Sequence, residues 1–107
     1  MYARNVRIKL KADSAPEFTR LIEKEIIPIL SKQQGFKDEI SFVSLERNEA
    51  IAISFWDKQE DAESYNHVAY LDVLKVLSKV VETMPIMKTF EVGNSTSYQR
   101  SENSPVG

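Results

Sequence analysis

The sequence predicts an α+β domain in the order βαββαβ, with one antiparallel four-stranded sheet and its helices on a single face. Three observations lead there. Two segments with helical spacing of apolar residues, near 15–32 and 57–81, enclose a pair of alternating, strand-like segments, and one more strand-like segment lies at each end. A short polar turn joins the central pair, which makes it an antiparallel hairpin. The length, 107 residues, suits one domain and leaves no room for two.

From Ala3 to Lys11, Val6, Ile8 and Leu10 alternate with Asn5, Arg7 and Lys9, a period of two that marks a strand with one buried face. Ser14-Ala15-Pro16-Glu17 reads as a helix start, with Ser14 as cap, Glu17 completing a capping box and Pro16 tolerated in the first turn. Phe18, Leu21, Ile22, Ile26, Ile29 and Leu30 then form a wide apolar stripe, for a helix over about Ala15 to Lys32. Pro28 inside it removes the hydrogen bond to the Lys24 carbonyl and predicts a kink or a change of axis. Gly35 supplies the left-handed residue that ends the helix, and Phe36 follows.

The hairpin runs from about Asp38 to Glu46 and from Ala50 to Trp56, turning at Arg47-Asn48-Glu49. In its first strand Ile40, Phe42 and Ser44 oppose Ser41, Val43 and Leu45; in its second, Ile51, Ile53 and Phe55 share a face. Asp57-Lys58-Gln59-Glu60 repeats the cap pattern and opens a second helical region, with Ala62, Tyr65, Ala69, Val73, Leu74, Leu77, Val80 and Val81 at helical spacing. The stretch Asn66 to Tyr70 is less regular and predicts a break into a short and a longer helix. Pro85 stops this region, and Ile86 to Val92 supplies the last strand. The domain is thus expected over 1–93, followed by a polar, aperiodic tail at 94–107 that orders only against a partner subunit.

This order is the split βαβ, or ferredoxin-like, arrangement. The sheet face away from the helices carries apolar residues from several strands, Val43 and Leu45 among them. An apolar face of that size is not left in water, so a second copy is expected to cover it and the protein to be a homodimer.

Composition narrows the function classes. With 14 basic and 16 acidic residues and a net charge of −2, nothing favours nucleic acid or an anionic membrane as partner. The nearest approach to a basic run is Arg4, Arg7, Lys9 and Lys11; Arg7, Lys9 and Lys11 share one strand face, which reads as solvated. The absence of cysteine excludes disulfides and thiolate chemistry and fits a reducing compartment. Strand-like sequence from Tyr2 leaves no space for a signal peptide, and no apolar run approaches the roughly 20 residues of a membrane span. A soluble, cytoplasmic protein is expected.

Several features together resemble the antibiotic biosynthesis monooxygenase-like family of dimeric α+β barrels. One is a proline late in the first helix followed by a Gln-Gln-Gly-Phe exit, here Pro28 and Gln33, Gln34, Gly35, Phe36. The others are a hairpin ending in Ser54-Phe55-Trp56 and the acidic helix start Asp57-Lys58-Gln59-Glu60-Asp61-Ala62, leading to Tyr65 and His67. The match spans about residues 2–92. The resemblance implies two sheets packed face to face across a dimer, with a pocket in each subunit between its own sheet and helices. It also implies chemistry drawn from cofactor-free oxygenases of aromatic polyketides, quinol oxygenases and haem-degrading enzymes, so the motifs specify the fold far better than a reaction.

His67, the only histidine, is the natural general base, because imidazole is the side chain that titrates near neutral pH; its other role is a hydrogen bond to a neighbour on a helix flank. One histidine and no cysteine make a catalytic metal site unlike the usual three-ligand kind, and no metal or cofactor is expected. Trp56 serves as core anchor, as an aromatic wall for a ligand, or both, with Phe18 beside it. Tyr65, Asn66 and Tyr70 cluster at the expected helix break, where Asn66 can donate to a developing oxyanion and a tyrosine can bind a phenol or carbonyl oxygen. Asn5, opposite Val6 and Ile8, is a further candidate that alternatively faces the dimer. In the haem-degrading branch a helix Trp and an iron-ligating His lie where this chain has Tyr65 and Lys75. A protonated lysine is a poor axial ligand, which disfavours that reaction unless His67 ligates from a shifted position.

The expected function is therefore a cofactor-independent monooxygenase for a small phenol- or quinol-like substrate, with His67 as base, Asn66 and Tyr65 as polar contacts, and Trp56, Phe18, Tyr70 and Asn5 around the substrate. Two alternatives stand beside it: a non-catalytic or regulatory dimer binding a small apolar ligand, and a small isomerase or decarboxylase needing only an acid/base pair.

Overall fold

The computed structural model describes residues 1–96, so the predicted tail lies outside the described residues from 97 onward. Four strands, β1 (Tyr2–Lys9), β2 (Phe36–Ser44), β3 (Glu49–Trp56) and β4 (Ile86–Glu91), form one sheet in the order β2-β3-β1-β4, and every neighbouring pair is antiparallel. Between β1 and β2 run α1 (Ala15–Leu21), a π-helical turn (Ile22–Ile26) and α2 (Ile27–Ser31); between β3 and β4 run α3 (Gln59–Val68) and α4 (Tyr70–Leu77). This is the ferredoxin-like arrangement that the periodicities predict.

The register decides which side chains meet the helices. Tyr2, Arg4, Val6 and Ile8 pair with Trp56, Ser54, Ala52 and Ala50, and this face packs against Phe18, Leu21, Ile22 and Ile26 of the first helical region and Ala62, Tyr65, Val73 and Leu77 of the second. The other face carries Asn5 opposite Ile53 and Ala3 opposite Phe55, with Ile40 and Phe42 of β2 set against Ile53 and Ile51. Here the structure corrects the expectation for Val43 and Leu45: Val43 pairs with the buried Ala50, on the helix side, and Leu45 falls in the turn after β2. Because side chains alternate along a strand, putting Val43 inward turns Ile40 and Phe42 outward. Phe42 is 55% exposed, and Ile86 and Phe90 of β4 are 60% and 53% exposed, so the uncovered face carries apolar side chains from β2, β3 and β4, while β1 contributes Ala3 with the polar Asn5, Arg7 and Lys9.

The helix starts also differ from expectation. Neither Ser14 nor the residues before α3 make a side-chain cap hydrogen bond. Glu17 cannot close a capping box because both its oxygens accept 2.8 Å hydrogen bonds from Arg20; the first turn is closed instead by the Phe18 amide donating to the Ser14 carbonyl at 2.8 Å. Before α3, the Asp57 amide donates to the Gly35 carbonyl at 2.8 Å, tying the helix start to the exit from α2.

Pro28 acts one turn earlier than a simple kink. Lacking an N–H, it leaves the Lys24 carbonyl without its helical partner, and the preceding turn widens: the Ile27 amide donates to Ile22, five residues back. The second helical region ends at Leu77 rather than near Pro85. The amides of Val80 and Val81 both donate to the Leu77 carbonyl, closing a turn, and Val81 bridges to Leu10 at the end of β1. Val80 and Val81 keep helical spacing in the sequence because they bury against the same core, not because they are helical. The break predicted within 66–70 falls at Ala69, whose φ of −123° and ψ of −16° leave the helical range.

Gly35 has φ +80°, and a Cβ there would run into the Asp61 carboxylate. Gly35→Ala is expected to cost about 1–3 kcal/mol, from left-handed strain together with displacement of Asp61, read as a lower urea midpoint with an unchanged m-value.

Candidate functional site

The inward row of the sheet contains an unexpected charge. Arg4 is only 2% exposed, although it lies among Val6, Ile8 and the helix-facing alanines. Its Nη1 donates to Asn66 Oδ1 at 2.9 Å, and its guanidinium carbon sits 4.5 Å from the ring centroid of Tyr70 and 5.0 Å from that of Tyr65. Nη2 is buried with no hydrogen-bond acceptor among the described residues. Cation–π contacts and one amide oxygen thus stand where a buried arginine ordinarily has a carboxylate.

The helix break makes this cluster. In a continuous α-helix residues five apart point to different faces, since only i+3 and i+4 are neighbours. With Ala69 out of helical conformation, Tyr65 in the last turn of α3 and Tyr70 at the start of α4 converge, their ring centroids 5.9 Å apart, and both rings lie against Arg4. Trp56 fixes Tyr65 from behind. Its ring, fully buried, stacks on Tyr65 at 4.9 Å and 25°, meets the edge of Phe36 at 5.6 Å, and donates from Nε1 to Ser54 Oγ at 2.9 Å.

Two spaces adjoin Arg4. The inner cavity, about 30 Å³, lies between sheet and helices; Ile22, Ile26, Leu30 and Val73 line it with Ala52, Ser54, Glu39, Tyr65 and Tyr70. That volume suits water-sized molecules. The outer groove, about 200 Å³, lies under α3 against β1 and β4, bordered by Tyr2, Asn66, His67, Met87 and Thr89, with Ala62 and Glu63. Of these side chains Arg4 alone lines both spaces.

The candidates from the sequence separate accordingly. Tyr65, Asn66 and Tyr70 gather around Arg4, and His67, exposed, shares the groove with Asn66. Trp56 and Phe18 are fully buried and line neither space; Trp56 supports Tyr65 from behind, while Phe18 is part of the core. Asn5 lies on the uncovered sheet face, away from both. Sequence reasoning missed Arg4, Ser54 and Glu39. A signal for Arg4 existed: the alternation that turns Arg7 and Lys9 outward turns Arg4 inward with Val6 and Ile8.

Electrostatics follow from burial. Burial lowers the affinity of Arg4 for its proton, while the nearby phenols of Tyr65 and Tyr70 act the other way. Burial pushes the Tyr65 phenol far above its usual range and raises Tyr70 as well, in each case against the pull of Arg4. Burial also raises the Glu39 carboxyl, opposed by the hydrogen bond from Ser41. A raised phenol means the folded protein keeps a proton that the unfolded chain releases above about pH 10, so its stabilisation is full below that pH and is lost progressively as pH rises from there toward the higher folded-state value. Urea midpoints measured between pH 9 and 11 are therefore expected to fall, and Tyr65→Phe to flatten that fall.

No protein-family model and no curated protein matches the sequence. Solved structures do match in fold. A monooxygenase from the ActVA-Orf6 gene of Streptomyces coelicolor, in complex with nanaomycin D, superposes with a TM-score of 0.75 at 9% identity over 88% of each chain. A mutant of SnoaB, a cofactor-independent oxygenase of Streptomyces nogalater, gives 0.71 at 12% identity, over 91% of this chain and 97% of that one. A Nitrosomonas europaea protein provisionally assigned as an antibiotic biosynthesis monooxygenase gives 0.70 at 14% identity, over 88% of this chain and 100% of that one. At these identities the likeness is one of architecture, and on it the chain has the ferredoxin-like fold of the antibiotic biosynthesis monooxygenases.

Proposed function

We propose that the chain is a cofactor-independent monooxygenase acting on a small, electron-rich aromatic substrate of phenol or quinol type, bound in the groove under α3. The observation that supports it most is the buried Arg4, ringed by Tyr65, Tyr70 and Asn66 and bordering a groove of about 200 Å³. An engineered cavity of about 150 Å³ holds benzene, so the groove has room for one ring. The fold shared with two oxygenases adds to this reading.

The reaction needs only a base, a stabilised anion and dioxygen. His67, on the groove wall, takes the acidic proton; Asn66 and Tyr65 orient the site around the anion, with Trp56 stacked behind Tyr65. The anion transfers an electron to dioxygen, the resulting radicals join in a carbon–oxygen bond, His67 returns its proton to the peroxide, and loss of water with the second hydrogen of that carbon leaves the ketone. One oxygen atom ends in product and one in water.

Oxygen uptake with a panel of quinols and enolisable aromatic ketones, without added flavin and in the presence of chelator, is the expected result. His67→Ala is expected to lower kcat by roughly 10²-fold or more; unchanged turnover would remove His67 from the mechanism. A second reading is a dimer that binds its ligand in the groove without turning it over. Tight binding with no oxygen uptake would select it.

Two copies are proposed to pair through the uncovered sheet face, where Ile40, Phe42, Ile53, Phe55, Ile86 and Phe90 otherwise meet water. Ile53→Glu, which places a charge at the centre of that face, is expected to convert the dimer into monomer in light scattering coupled to gel filtration.

A further inference from the structure

We propose that Arg4 recognises an anionic oxygen of the ligand, so that the site selects ring compounds bearing a carboxylate or phenolate over neutral compounds of the same shape. This rests on the groove being the ligand site and goes further by naming the ligand's charge. Moving a cation out of water is costly unless it is paired, and one with a buried, unmade hydrogen bond is costlier still. Among the described residues Arg4 makes no ion pair, and the fold offers it two ring faces, the oxygen of Asn66 and the hydroxyl of Tyr70, all of them neutral. The guanidinium is a planar fork of five donors suited to bidentate contact with an anion. One arm is held by Asn66; Nη2, on the other, is buried without an acceptor.

The surroundings agree with an incoming anion. Asn66 accepts from Arg4 through Oδ1, which leaves its Nδ2 donors for other partners. Among the described residues that line either space, the carboxylates are Glu39, hydrogen-bonded by Ser41 in the inner cavity, and Glu63, exposed on the groove wall. Glu63 repels an anion at the mouth and so favours a ligand whose negative end points inward to Arg4.

The test is calorimetric binding of benzoate against benzamide, and of ionised pentafluorophenol against phenol, to the intact protein at neutral pH without turnover. The charged member of at least one pair is expected to bind roughly 10- to 100-fold more tightly, the range of one hydrogen bond to a charged group; which pair discriminates assigns the site to carboxylate or phenolate. Arg4→Met is expected to abolish the preference while keeping the weaker binding of the neutral compound. Replacing an unpaired buried charge by an apolar residue need not unfold the protein. Should Arg4→Met nevertheless fail to fold, the Arg4 Nε–Hε resonance of the wild type is expected to shift with the charged ligand and not with its neutral counterpart. Equal binding within both pairs, no binding by any of the four, or a preference that survives Arg4→Met would overturn the proposal. Charge preference without oxygen uptake from any substrate would leave it standing and remove the oxygenase reading; uptake from quinols without charge preference would do the reverse.

Discussion

The burial of one guanidinium organises the helix side of this sheet. Arg4 sits on the central part of β1, among side chains that would by themselves form an ordinary apolar core. Its charge requires compensation, and the compensation comes from elements distant in sequence: Asn66 and Tyr65 on α3, Tyr70 on α4, and behind them Trp56 and Ser54 on β3. The contacts to α3 and α4 restrict where those helices sit over the sheet. A cation held by ring quadrupoles and one amide is less completely neutralised than one held by a carboxylate.

Irregular backbone supplies the remaining geometry. Ala69 interrupts the second helical region so that two tyrosines five residues apart converge on Arg4. The π turn before Pro28 keeps Ile22 and Ile26 on the wall of the inner cavity, together with Leu30 of α2. Both departures lie beside the candidate site, where helical regularity gives way to side-chain placement.

The architecture was legible in the sequence because its signals are periodic and local: a period of two in β1, apolar stripes at helical spacing, a short polar hairpin turn and a glycine at a left-handed position. The errors share a cause. The capping motifs at Ser14 and Asp57 are compatible with helix starts that close through other bonds, and Val80 and Val81 fit a helical stripe while packing from a turn. Val43 was misplaced because β2 alternates apolar residues on both faces, and only the pairing with β3 decides which face is inward. The site was half legible. Tyr65, Asn66 and Tyr70 announced themselves at an irregular stretch, but the group at their centre is a single arginine out of phase with its basic neighbours, and composition treats it as surface charge.

The inner face of β3 presents small side chains, Ala50, Ala52 and Ser54, before it ends in the large ring of Trp56. Larger residues at 52 and 54 would fill the space above the sheet, and smaller ones on the facing helices would widen it. Capacity is therefore a local variable in this architecture: a methyl or a hydroxyl on one central strand sets how much room a guest has. The strand pairing and the uncovered face, which depend on backbone and on the opposite set of side chains, are left as they were. Descendants of such a chain can change what they hold without relearning how to fold.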